Sequence, residues 1–211
     1  MSNDLPLMHV DAQRIIIHKP AGLLAVPGRG EDKQDCAWHR VRDVFADALV
    51  VHRLDQATSG LLVFARGEAM QRALSDAFAQ RQVDKRYEAV VSGRVDRDQF
   101  DIDLPLIADW PNRPRQKVDF DIGKPSLTRV TVVARDPQGQ SSRLWLEPVT
   151  GRSHQLRVHL MACGHPILGD TLYAAEEVQA QAPRLLLHAR DLSLPALLGE
   201  AALTLHCPVD F

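Results

Sequence analysis

The segment HRLDQATSG at residues 52–60 places charged and small polar side chains directly before an apolar run, GLLVFA at residues 60–65. Side chains alternate between the two faces of an extended chain, so Arg53 and Asp55 are expected to share one face. The Thr-Ser-Gly sequence that follows is typical of a turn. The segment predicts a carboxylate held at a strand end beside an open site. A surface salt bridge followed by a turn is the alternative interpretation.

Strand and helix signals alternate on both sides of this segment. Apolar residues recur at helical spacing over residues 68–82, and the region 104–124, rich in proline and charge, is expected to be irregular and exposed. The spacing favours a mixed α/β or α+β fold, in one domain over residues 1–211. Strands are predicted at residues 14–19, 60–65, 85–91, 127–134, 143–149, 185–189 and 201–205, and helices at 35–45, 68–82 and 153–164.

Composition describes a globular chain. Its 211 residues are 45% hydrophobic and 25% charged, and no apolar run reaches the ~20 residues of a membrane helix. The first residues lack the pattern of a secretory signal. Three cysteines at positions 36, 163 and 207 form no CxxC pair, so they are expected to be reduced and buried in a cytoplasmic protein.

Charge gives no direct indication of a nucleic-acid partner. The net charge is -2, whereas dedicated nucleic-acid binders are usually basic. Arginine outnumbers lysine 20 to 5, and guanidinium groups suit bidentate phosphate contacts. A high-GC genome would produce the same bias, so the distribution of the cations along the chain matters more than their sum.

A second polar cluster is TGRSHQLRVHL at residues 150–160. With Ser153 as N-cap, a helix would turn its first N–H groups toward an anion, and His154 and Arg157 would share one face. The alternative is a polar helix face in solvent. The two histidines of this segment are five residues apart and no HExxH pattern occurs, so no metal site is predicted. The expected buried stripe consists of Leu156, Leu160 and Cys163.

Two further segments combine an aromatic residue with cations. KRYEA at residues 85–89 carries a tyrosine on a basic strand, and WPNRPRQK at residues 110–117 mixes a tryptophan with three cations. Both patterns are typical of surfaces that stack nucleic-acid bases. An ordinary core tyrosine and an unspecific charged loop are the alternatives.

Four segments in this order resemble the RluA-type pseudouridine synthases: KPAGL at 19–23, HRLDQATSG at 52–60, KRYEA at 85–89 and GRSHQLRVHL at 151–160. The resemblance implies an α+β catalytic domain. Its sheet would be mixed and mostly antiparallel, flanked by helices and loops, with an RNA-binding cleft across it. The chain is similar to the short members of the family, which have no S4 RNA-binding domain. The chemistry implied needs no cofactor and no metal.

The resemblance also implies roles for single residues. Asp55 matches the catalytic aspartate, acting either as a nucleophile or as a base that gives a glycal. Arg157 matches the arginine paired with it, Tyr87 the tyrosine that packs on the target base, and Arg53 the arginine that fills the gap left by the flipped uridine. The residues expected to contact RNA are Arg53, His52, Lys19, Arg86, Arg113, Arg115, Arg152 and His154.

The implied partners are RNA stem-loops, namely a tRNA anticodon loop, at uridine 32, and a 23S rRNA stem-loop, at uridine 746. No protein partner is implied, and a monomer is expected. One alternative is a non-catalytic RNA-binding protein on the same fold, which would be expected to lose Asp55. Another is a hydrolase or metal enzyme that uses the nine histidines, which are scattered without metal-ligand spacing.

Overall fold

The computed structural model describes residues 5–211. They form an α+β protein with a large, mostly antiparallel sheet and few helices, which confirms the predicted fold class. The strands are β1 Leu7–Val10, β2 Arg14–Lys19, β3 Ala48–Val50, β4 Ser59–Arg66, β5 Asp84–Ser92, β6 Gln99–Asp103, β7 Leu106–Ala108, β8 Gln116–Val118, β9 Leu127–Arg135, β10 Ser141–Pro148, β11 Leu187–Leu194 and β12 Leu203–His206. The helices are α1 Ala37–Val44, α2 Glu68–Ala79, α3 Gln155–Ala162 and α4 Glu176–Gln179, with short 3-10 helices at Glu31–Lys33 and Trp110–Asn112.

The chain divides into two compact units. The first contains the residues up to Lys85 together with His188–Asp210, and the second contains Arg86–Leu187 with Phe211. The single catalytic domain expected over residues 1–211 stays a prediction.

In the first unit, β4 is the central strand. Its sequence SGLLVFAR is buried along almost its whole length, because both faces of the strand are covered. Strand β2 pairs with it antiparallel, in the register Ile15 to Phe64, and β1 pairs with β2. Strand β3 is antiparallel to β4, and β11, itself paired with β12, runs parallel to it. Helix α2 covers one face with Met70, Leu74 and Ala77, the apolar stripe that its sequence predicts.

Gly60 lies in β4 and not in the turn that the Thr-Ser-Gly sequence had predicted; the turn precedes it, at Asp55 to Thr58. Its φ of 113° lies in a region that other residues rarely adopt, and a Cβ there would overlap the backbone of Ala189 on β11. The residue is therefore required for the close approach of β4 and β11 at the point where the segment 52–60 enters the sheet.

In the second unit, four antiparallel strands follow the order β5, β10, β9, β6. The region 104–124, predicted to be irregular, contains the hairpin β7–β8, in the register Leu106 to Val118. Helix α3 is buried all around: Leu156, Val158 and Leu160 pack in the interior, and the polar residues between them are also buried.

Several short elements were not predicted from the sequence. They are β1, β3, β6, β7, β8 and α4, each of at most five residues, which is too short to show a clear period. The prediction that all three cysteines are buried is wrong for Cys163, which is exposed after the last turn of α3. Over residues 5–211, the structure contains no helix with the length and apolar character needed to cross a membrane.

Candidate active site

Asp55 lies in a turn between an irregular segment and β4. Its backbone carbonyl accepts the N–H of Thr58 at 3.1 Å, and the residue is half-buried beside buried Leu54. Arg53, two residues earlier, is exposed. Residues 51–58 form no strand, so the regular alternation that would place Arg53 and Asp55 on one face of an extended chain is not formed.

Lys19 supports the backbone of the turn that carries Asp55. Its side chain is completely buried, and its Nζ donates to the carbonyls of Pro20 (2.8 Å), Leu23 (2.8 Å) and Gln56 (3.1 Å). Burial lowers the pKa of Lys19 to about 7, while the negative charge of Asp55 acts in the opposite direction. The prediction that Lys19 contacts RNA is wrong, because a fully buried ammonium group cannot reach a phosphate.

His52 is also part of the interior. Its ring stacks on Phe78 with a centroid distance of 4.6 Å, and its Nε2 accepts the N–H of Val63 at 3.1 Å. Burial, with a smaller effect of the Lys85 charge, lowers the pKa of His52 to about 3. The ring is therefore neutral at neutral pH, and it contributes no charge to the RNA contact predicted for it.

Helix α3 begins two residues later than predicted. Ser153 is not its N-cap; His154 occupies that position, in the left-handed conformation with φ of 54°. Within the described part of the chain, no side chain caps α3; the Gln155 side chain instead links the first residue of the helix to the preceding segment, because its Oε1 accepts the hydroxyl of Thr150 at 2.7 Å and the N–H of Arg152 at 3.0 Å. His154 thus stands outside the helix, and its shared helical face with Arg157 is not formed.

Arg157 projects from α3 onto an aspartate that the sequence had not indicated. Its Nε donates to Oδ2 of Asp170 at 2.8 Å and its Nη2 to Oδ1 at 2.6 Å. The side chains are 4% and 1% exposed. Such a two-bond pair fixes the plane of the guanidinium group. The pairing of Arg157 with Asp55 stays a prediction.

Tyr173 completes this cluster. Its ring lies 5.1 Å from the guanidinium carbon of Arg157 and 5.5 Å from that of Arg115. Its hydroxyl accepts the N–H of Gln116 at 2.8 Å and forms a hydrogen bond of 2.6 Å with His154 Nδ1. The segment GDTLY at residues 169–173, which contains one of only two tyrosines in the chain, was the signal in the sequence that could have indicated Asp170 and Tyr173.

The other tyrosine, Tyr87, lies half-buried on β5 opposite Leu146 of β10. Its neighbour Arg86 stands over the Trp145 ring at 4.8 Å and forms an ion pair of 3.1 Å with Glu147. The charge of Arg86 is therefore partly neutralised by Glu147, and its side chain lies against an aromatic ring rather than in an uncompensated basic patch.

Three of the predicted RNA contacts are exposed arginines of the second unit. The guanidinium carbon of Arg113 lies 3.1 Å from the ring centroid of Trp110, itself 67% exposed, in the loop between β7 and β8. Arg115 is exposed where that loop leads into β8, and Arg152 is exposed before α3, with a long hydrogen bond of 3.4 Å to the Pro125 carbonyl. A cation stacked on an exposed indole suits contact with phosphate and base.

One group of three side chains within residues 5–211 has metal-ligating atoms within 4.8 Å of one another: His18, His188 and Cys207. His188 Nδ1 forms a hydrogen bond of 2.8 Å with the Ser59 hydroxyl, and burial raises the pKa of the Cys207 thiol to about 11. The other ring nitrogen of His188 faces the Cys207 carbonyl at 3.3 Å, so this ring joins β4, β11 and the C-terminal segment by hydrogen bonds.

Residues 13–162 match the family model described as RNA pseudouridylate synthase, so the chain belongs to this family of isomerases. The match includes Asp55, Tyr87 and Arg157. Similar proteins include the dual-specificity RNA pseudouridine synthases RluA of Escherichia coli strain K12 (45% identity) and Pasteurella multocida (44%), each covering 98% of this chain and 94% of the relative.

Another relative, the dual-specificity RNA pseudouridine synthase RluA of Yersinia pestis, is 49% identical over 89% of this chain and 91% of its own. Among solved structures, the human RNA pseudouridylate synthase domain containing 1 has a TM-score of 0.84 and 27% identity, with 100% of this chain and 86% of that chain covered. The human RNA pseudouridylate synthase domain containing 4 has a TM-score of 0.77 and 26% identity, with 97% and 88% covered.

Proposed function

We propose that this enzyme isomerises uridines in RNA stem-loops, in both tRNA and 23S rRNA, with Asp55 as the catalytic carboxylate. The N1–C1′ bond of the uridine breaks, the uracil turns, and a C5–C1′ bond forms. The C5 proton leaves for solvent and N1 takes up a proton, so the reaction is balanced without any co-reactant.

The observation that carries this proposal is the placement of Asp55. The carboxylate is half-buried in a turn, and Lys19 donates a hydrogen bond to the carbonyl of the next residue of that turn, Gln56. Cleavage of a glycosidic bond generally needs an ionised carboxylate near the anomeric carbon. Asp55 is suited either to attack C1′ or to remove a proton and give a glycal.

Arg157 and Tyr87 complete the proposed catalytic set. In this proposal Arg157 pairs with the Asp55 carboxylate during the reaction, and Tyr87 packs on the uracil. Arg53 is exposed two residues before Asp55, and it fills the space that the uridine leaves on flipping out of the stack.

RNA is held by exposed arginines rather than by overall charge. The proposed phosphate and base contacts come from Arg53, Arg86, Arg113, Arg115 and Arg152. His154 contributes through the position of Tyr173. The bacterial relatives named above are called dual-specificity enzymes, which supports action on two kinds of RNA. The proposed targets, uridine 32 of a tRNA anticodon loop and uridine 746 of 23S rRNA, rest on the resemblance of the motifs.

Tritium release tests the reaction and the substrates together. Transcripts of tRNA and of 23S rRNA fragments are labelled at uridine C5, incubated with the full chain, and assayed for tritium in solvent. Release from both RNAs is expected, and it should disappear when uridine 32 or uridine 746 is replaced by cytidine. Release that persists after these replacements would contradict the proposed target positions.

A further inference from the structure

We infer that Asp170 and Tyr173 are positioning residues for Arg157, and that the two divide the work between the chemical step and RNA binding. The inference rests on the proposed function, because it assumes that Arg157 takes part in the isomerisation. Neither residue belongs to the motifs that resemble the family.

Asp170 fixes the orientation of the guanidinium group. It receives the Nε and Nη2 edge of Arg157 on its two oxygens, at 2.8 and 2.6 Å, in an interior where both side chains are almost fully buried. Two parallel bonds in a buried site leave the guanidinium plane no freedom to rotate. The remaining edge of the group therefore points in one defined direction.

The Asp170 carboxylate is itself immobilised. Its Oδ1 accepts the N–H of Leu172 at 2.9 Å and the N–H of Tyr173 at 3.2 Å. The preceding Gly169 has φ of 73°, and a Cβ there would overlap the carbonyl oxygen of Arg184. The backbone on both sides of Asp170 is thus fixed, as expected of a support that orients a functional group.

Tyr173 links the same arginine to the β7–β8 hairpin. Its ring faces Arg157 and Arg115, and its hydroxyl bonds both the Gln116 N–H of β8 and His154. Arg115 adjoins Gln116, and its loop carries Arg113. Tyr173 is placed to set the hairpin against RNA, whereas Asp170 has no contact with the hairpin among the described hydrogen bonds.

The variant Asp170→Asn tests the positioning of Arg157 separately from the contribution of Asp170 to folding. An asparagine oxygen still accepts the two backbone N–H groups, but its amide turns a donor toward the guanidinium and breaks the two-bond pair. We expect kcat for tritium release to fall about 100-fold with KM within about 3-fold of wild type. For Tyr173→Phe we expect the reverse pattern, with KM raised about 10-fold and kcat within about 3-fold.

Asp11→Asn is the matched control. Asp11 accepts the Nε–H of buried Arg14 on Oδ2 at 2.8 Å and the N–H groups of Gln13 and Arg14 on Oδ1, so it resembles Asp170 in holding an arginine and two backbone N–H groups, with a side chain that is 19% exposed. Its substitution should cost stability as Asp170→Asn does, and leave kcat within about 3-fold of wild type. Equal values of kcat for the two variants would overturn the inference.

A double-mutant cycle and a spectroscopic measurement remove the ambiguity of a misfolded variant. In an Arg157→Met background, Asp170→Asn should change kcat by less than about 3-fold, because Asp170 acts only through Arg157. A further loss of about 100-fold would show a separate structural role and contradict the inference.

The ¹⁵N signal of the Arg157 Nε–H is assigned by its loss in Arg157→Met. In the wild type it should show a rigid group whose hydrogen exchanges slowly with solvent. In Asp170→Asn it should show a mobile group. This readout needs no turnover. An unchanged signal would therefore refute the positioning role even if the proposed function fails. If wild type releases tritium and only the Asp170→Asn effects are missing, the proposed function stands and this inference falls.

Discussion

Two buried cations, Lys19 of the first unit and Arg157 of the second, are held in opposite ways. Lys19 has three backbone carbonyls as hydrogen-bond partners, and burial lowers its pKa to about 7. Arg157 has a carboxylate partner, Asp170, bound through two nitrogens. A lysine can lose its proton and remain hydrogen-bonded, whereas a guanidinium keeps its charge at any pH that the protein meets.

The difference teaches which cation can serve a reaction that needs a fixed charge. Lys19 shapes the backbone that carries Asp55, and its own charge varies with pH. Arg157 supplies a permanent charge in a fixed orientation. The following predictions separate the support of the Asp55 backbone from the supply of a positive charge.

Asp55→Asn should have the largest effect. The amide is nearly isosteric with the carboxylate but can act neither as a base nor as a nucleophile, so tritium release should fall to background. RNA affinity and the free energy of unfolding should stay close to wild type. Turnover above the level of contaminating wild-type enzyme would remove Asp55 from the catalytic role.

Arg157→Met should lower kcat by at least about 100-fold and reduce stability by roughly 3 kcal/mol, because it leaves the Asp170 carboxylate buried without its partner. Tritium-release assays and urea unfolding measure the two effects.

Arg14→Met is its control, because it removes the cation from the buried pair with Asp11. It should reproduce the loss of stability with nearly full activity. Full activity in Arg157→Met would show that Arg157 takes no part in the reaction.

Lys19→Met should alter the pH dependence of stability. The folded-state pKa of about 7 lies below the unfolded value of 10.5, so the unfolded chain binds the extra proton between these values and stability rises with pH there. In the wild type this group should add about 2 kcal/mol between pH 7 and pH 9.

The rise from Lys19 should be absent in Lys19→Met and present in Lys33→Met, whose lysine is exposed. Urea unfolding at the two pH values gives the comparison. An equal rise in both variants would show that Lys19 is not the titrating group.

The smallest effect is expected for RNA binding. Five or six phosphate contacts predict a log–log salt slope of about -4 despite the net charge of -2. Replacing both Arg113 and Arg115 by alanine should flatten the slope by about one to two units. Asp55→Asn should leave the slope unchanged. The double variant Lys33→Ala with Arg72→Ala, which removes two exposed cations, should also leave it unchanged. A wild-type slope near zero would mean that stacking rather than phosphate contact holds the RNA.

The sequence predicted long, strongly patterned elements and missed what depends on tertiary neighbours. The apolar run of β4 and the helical spacing of α2 were evident, because burial imposes those periods on the chain. Lys19 and His52 were assigned to RNA because nothing in their local sequence shows burial. Asp170 was missed because its partner lies 13 residues away on α3, a pairing that no local pattern encodes. Asp55 was predicted as the catalytic residue only from the length of its motif and the order of the motifs along the chain.

The parallel pairing of β11 with β4 has a consequence for synthesis of the protein. Ser59 meets His188 across 129 residues, so the first unit is discontinuous in sequence, while the second is one stretch, Arg86–Leu187, apart from Phe211. On the ribosome, residues 86–187 emerge and become able to fold while β4 still lacks its neighbour. The edge of β4 that pairs with β11 is therefore covered late, and this apolar edge stays exposed to aggregation until residues 188–210 arrive.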